Sequence, residues 1–72
     1  MKYSVQIVSV PDRNKLVAEI WFENQMIAEI NQEKEKLELI IYFNHKERFL
    51  GLDYEDFMIT LEDGKKKLKA IS

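Results

Sequence analysis

Cysteine is absent from the chain, so no disulfide can staple the fold and no thiolate can hold zinc. Glycine occurs twice, at Gly51 and Gly64. Neither sits in a phosphate-cradling pattern, which excludes a P-loop or a dinucleotide-binding turn. The one histidine, His45, has no His-x-x-His or His-x-x-x-His spacing and reads as an exposed loop residue beside Lys46. Ser4, Ser9 and Ser72 all lie outside any Gly-x-Ser-x-Gly turn, so nothing points to a serine nucleophile. No apolar run approaches the roughly 18–20 residues of a membrane span. Met1-Lys2 leads directly into an alternating segment rather than a signal-type apolar region. No metal or cofactor is expected, no membrane partner, and a cytoplasmic location.

Charge of one sign is also scarce. Eleven basic residues against thirteen acidic ones leave a net charge of −2, too little for bulk attraction to nucleic acid or to an anionic membrane. Lys65, Lys66, Lys67 and Lys69 form a local basic patch, but they suit the negative end of a helix and no nucleic-acid motif accompanies them. Hydrophobic residues make up 46% and charged residues 33%, the balance of a globular chain. At 72 residues it makes one domain, 1–72, which hides only about 60% of its unfolded surface.

The organising stretch runs from Leu16 to Phe43. Leu16, Ala18, Ile20 and Phe22 alternate with Val17, Glu19, Trp21 and Glu23, the period of a half-buried strand. The segment Val17-Ala18-Glu19-Ile20 recurs ten residues later as Ile27-Ala28-Glu29-Ile30, a spacing of one strand plus one turn, so the two form a hairpin. Because a one-residue slip inverts a strand's face, an odd loop Asn24-Gln25-Met26 is expected, with Phe22 opposite Ala28 and Ile20 opposite Ile30. The polar segment Gln32-Glu33-Lys34-Glu35 leads to a third alternating run, Leu37 to Phe43, with Ile30 expected opposite Leu37. An earlier strand, Tyr3 to Val10, changes phase after Ile7, which a bulge would explain, and Pro11-Asp12-Arg13-Asn14 turns it into the second strand.

Asn44 to Arg48 is a polar loop, and Phe49-Leu50-Gly51-Leu52 reads as a short fifth strand or an extended bridge. Asp53 is a good N-cap, Glu55 and Asp56 suit a first helical turn, and Tyr54, Phe57, Met58, Leu61, Leu68 and Ile71 share a stripe at helical period. That favours a helix over 53–70, with Gly64 on the packing stripe allowing close approach. The alternative is a hairpin about Asp63-Gly64 with strands 57–62 and 66–71. The expected architecture is α+β, ββββα: a four-stranded antiparallel meander, five-stranded if 49–52 joins it. Its strands run at about 3–10, 15–23, 27–32 and 36–43, with a bridge at 45–52 and a C-terminal helix on one face.

Function is not written in any motif. The core face is assigned Leu16, Ala18, Ile20, Phe22, Ala28, Ile30, Leu37, Leu39, Ile41 and Phe43. The opposite, open face then carries Val17, Glu19, Trp21 and Ile27, followed by Glu29, Glu38, Ile40 and Tyr42. Solvated sheet faces alternate to polar residues, and a Trp, a Tyr and three aliphatics there resemble an interface. The chain is therefore expected to be a non-enzymatic protein-interaction module that binds a partner or a second copy through these eight residues. A small-molecule binder or minor enzyme is the alternative and needs a pocket beside Trp21, Glu38, Tyr42 and His45. Neutralisation of a basic partner, as an antitoxin or immunity protein does, is an analogy suggested by the glutamates. Nucleic-acid binding ranks last.

Overall fold

A computed structural model describes residues 2–42 and 51–71. Four strands, β1 (Tyr3–Val8), β2 (Val17–Phe22), β3 (Gln25–Asn31) and β4 (Glu38–Ile41), precede one helix, α1 (Tyr54–Ile71). The strands form one antiparallel sheet in the order β1-β2-β3-β4, and α1 packs on one side of it. The fold is ββββα, α+β. The hairpin alternative about Asp63-Gly64 is overturned, since both residues lie inside α1. Asp53 caps the helix by accepting the Asp56 N–H at 2.9 Å. The fifth-strand segment lies largely outside the described residues, and Gly51 and Leu52 are not in a strand.

The faces come out as the alternation demands, but the registers do not. β2 and β3 join through a two-residue turn, Glu23-Asn24, with Phe22 opposite Gln25. Glu23 takes a left-handed φ of 56°, as the first central residue of a primed hairpin turn does. This even loop would invert the faces, and a bulge corrects it. Trp21 pairs with Met26 and Ile20 with Ala28, leaving Ile27 as the extra residue of β3. Ile20 therefore faces Ala28 rather than Ile30, and Ala18 faces Ile30. Ile30 pairs with Leu39 instead of Leu37, because the β3–β4 connection is two residues longer than expected. The bulge expected in β1 is not there: β1 runs in unbroken register against β2 from Tyr3↔Phe22 to Val8↔Val17.

The core lies between α1 and the β1–β2 side of the sheet. Ala18, Ile20, Ala28, Ile30 and Leu68 are buried, with Phe57 and Leu61 packed against them. Tyr3 packs against Phe22 with the rings tilted by 53° and their centroids 4.9 Å apart. The buried line of the helix is Thr60, Gly64 and Leu68, a rotation of the expected stripe that leaves Tyr54, Met58 and Ile71 exposed. Gly64, which both stripes contain, marks the closest approach. A Cβ there would come 3.2 Å from Ile20 Cδ1 and 3.4 Å from Ile30 Cδ1, so the bare glycine lets the backbone sit on the isoleucines. Thr60 joins this line because its hydroxyl donates to the Asp56 carbonyl at 2.7 Å, which satisfies the buried group. No described helix is long and apolar enough to cross a membrane.

Candidate interaction surface

On the face away from the helix the polar side chains bond one another. Glu29, on the central strand β3, is 5% exposed. Its Oε2 accepts from Arg13 Nε at 2.8 Å and from Asn31 Nδ2 at 3.1 Å, and its Oε1 accepts from the Tyr42 hydroxyl at 2.8 Å. Asn31 also donates to Glu38 Oε1 at 3.2 Å, and Lys34 Nζ reaches Glu38 Oε2 at 3.1 Å. Trp21 Nε1 donates to Glu19 at 3.2 Å. Glu33 ties down the β1–β2 loop by accepting from the backbone N–H groups of Asn14 and Lys15 at 2.8 and 3.0 Å. That loop brings Arg13 across the sheet, so a single cation balances a carboxylate that faces Glu19 on the neighbouring strand.

The electrostatics are those of a brace. Burial pushes the Glu29 carboxyl up, but the hydrogen bonds from Arg13, Tyr42 and Asn31 outweigh it and hold it below the ordinary glutamate value. Glu38 is lowered by its bonds from Asn31 and Lys34. Tyr42 is raised, first by donating to the Glu29 carboxylate and then by burial. A carboxylate held ionised, with both oxygens engaged, suits neither general acid nor general base.

The eight residues assigned to an open interface divide accordingly. Val17 (0% exposed), Ile27 and Glu29 are buried. Glu19, Trp21, Glu38 and Ile40 are half-buried, and Tyr42 alone is exposed. The expected apolar patch is thus largely covered from within the chain. His45, a candidate for the alternative pocket, lies outside the described residues. Arg13 and Asn31 hold this face together: Asn31 shares the face of Glu29 because residues two apart on β3 point the same way, whereas Arg13 reaches it from the β1–β2 loop, which no periodicity marks.

The open surface is on the other side. α1 packs on β1 and β2, touches β3 lightly and stops short of β4. A helix is about 10–12 Å wide and strands are about 4.8 Å apart, so one helix covers about two strands of four. The side chains assigned to the core on β4 and just before it therefore stand in the open: Leu37, Leu39 (45% exposed) and Ile41 (61%); Phe43, assigned with them, lies outside the described residues. Between them and the helix runs a shallow groove with Ile30 in its floor and Leu61, Glu62 and Lys65 on its helical wall. Its volume is about 220 Å³, below the roughly 300–1,000 Å³ of typical small-molecule sites.

Beside this surface, the outer edge of β4 has no strand partner among the described residues. Tyr42 donates its N–H to the Ile27 carbonyl at 2.9 Å. In an antiparallel ladder the polar groups alternate, so Ile40 and Glu38 also bond β3, while Leu39 and Ile41 turn theirs to the outer edge. That edge carries no proline, no lysine and no bulge, the usual devices that keep an edge from pairing. Comparison of the chain with protein-family models, with curated proteins and with solved structures finds no match, so the functional reading rests on this geometry.

Proposed function

We propose that the chain is a protein-interaction module that accepts an added strand at β4. The observation that supports it is the coincidence at Leu39 and Ile41: the same two residues turn backbone groups to an edge that no described strand pairs with and carry exposed apolar side chains. Strand addition uses both, with main-chain bonds giving affinity and alternate side chains entering a pocket or groove. The opposite edge lacks the second half. Lys2 accepts the Glu23 N–H at 2.7 Å, so Val5 and Ile7 turn their backbone groups outward on β1, but their side chains are packed against the core. The reading moves the docking surface from the face of Trp21 to the edge of β4.

A photo-crosslinking residue in place of Leu39, compared with one in place of Gln6 on β1, tests this in cells. A discrete adduct at position 39, absent at position 6 and lost when Ile41→Lys is added, is the expected result. No adduct at 39, or equal adducts at both positions, would overturn it.

A further inference from the structure

Resting on the strand-addition reading, we infer that the strand β4 accepts is β4 of a second copy, in an antiparallel two-fold dimer centred on Ile40. The outward backbone groups fix the possible pairing. Only Leu39 and Ile41 present them within β4, so a two-fold axis at Ile40 sets Leu39 opposite the second copy's Ile41, and Ile41 opposite its Leu39. Each of these pairs exchanges both N–H···O bonds, and Ile40 meets its own copy at a non-bonded position. This is an isologous interface, the commonest symmetric arrangement.

The side chains agree with that register. On the helix side, Leu39 and Ile41 of both copies come together, covering side chains that stand exposed in the single chain. On the other side the one charged residue of β4, Glu38, falls opposite the second copy's Tyr42, so no like charges oppose each other across the new ladder. Glu38 is moreover already matched by Lys34 at 3.1 Å. A net charge of −2 per chain adds little repulsion between copies. The small size of the chain points the same way, because a short domain leaves much of its apolar surface uncovered.

The absence of cysteine makes the geometry directly testable, since an introduced thiol is the only one present. Across the non-bonded pair the Ile40 Cα atoms would be about 4.5 Å apart, within the span a disulfide bridges. Light scattering on the purified chain should give twice its mass of 8.6 kDa. Ile41→Lys should be folded by circular dichroism and elute as the single chain, since that side chain is 61% exposed before association. Ile40→Cys should oxidise to a covalent dimer, while Gln6→Cys at the same concentration does not. A wild-type chain that stays single up to millimolar concentration would overturn the dimer. So would a dimer that survives Ile41→Lys and leaves Ile40→Cys unlinked. A single chain whose position-39 probe still captures a different protein would contradict self-association and leave strand addition standing; a probe that captures nothing would remove both.

Discussion

Arg13 Nε lies 2.8 Å from Glu29 Oε2, joining the β1–β2 loop to the central strand across the face that the helix leaves bare. The carboxylate is buried and its partner only partly so, which makes the pair asymmetric. Removing the cation strands a charge, whereas removing both groups strands nothing of comparable cost. Arg13→Ala should lower the urea midpoint clearly more than Asp12→Ala in the same loop. Arg13→Met combined with Glu29→Met should recover part of that loss, and a double-mutant cycle reads the coupling. Equal effects of Arg13→Ala and Asp12→Ala would show that the pair contributes nothing.

The same network sets the acid limb of stability. Glu29 and Glu38 are held below the ordinary glutamate value of 4.5. Their contribution is complete above 4.5 and is lost as pH falls through the lower folded values, because the unfolded chain takes up protons first. Tyr42 works in the opposite direction, being raised above 10.0. Its contribution is present below 10.0 and fades as pH rises through the higher folded value. Urea midpoints measured across pH should fall at both ends, and Glu29→Gln should flatten the acid limb. An acid limb unchanged by Glu29→Gln would contradict the assignment.

Glu23 holds a left-handed φ of 56° without being glycine. That conformation costs an L-residue about 1–2 kcal/mol, partly offset in a glycine variant by greater freedom of the unfolded chain. Glu23→Gly should stabilise the protein by about 0.5–1 kcal/mol in thermal or urea denaturation. Glu23→Val, branched at Cβ, should destabilise it.

Gly64 is a balance of opposing effects. Alanine gains about 1 kcal/mol of helix propensity and meets Ile20 Cδ1 at 3.2 Å, a contact the methyl group must relieve in a packed core. Gly64→Ala should stay within about 1 kcal/mol of the parent. Gly64→Leu has no room and should cost about 3 kcal/mol or more. A tolerated leucine would mean that the helix does not lie on the isoleucines.

Much of this was legible from alternation and capping. The strand count, the two sheet faces, the N-cap at Asp53 and the close approach at Gly64 follow from residue period and residue type. What alternation cannot see is any change that preserves parity. Ile30 opposite Leu37 or Leu39 puts the same residues on the same face. A three-residue loop is likewise indistinguishable from a two-residue turn plus a bulge at Ile27. The candidate site suffered from a related blindness. A glutamate bound by Arg13, Asn31 and Tyr42 has the same place in the pattern as one in water, so Glu29 read as surface. Leu39 and Ile41 read as core because their period was right, although the width of one helix cannot reach the fourth strand.

Hydrogen exchange at the backbone amides of Leu39 and Ile41, followed against protein concentration, tests the central claim about the β4 edge most directly. In dilute solution both amides should exchange quickly while that of Ile40, bonded to β3, is protected. As concentration rises, Leu39 and Ile41 should become protected, and Val5 and Ile7 on the opposite edge should not change. Slow exchange at Leu39 and Ile41 in dilute solution would contradict the open edge itself, and exchange that does not slow as concentration rises would contradict its pairing with a second copy.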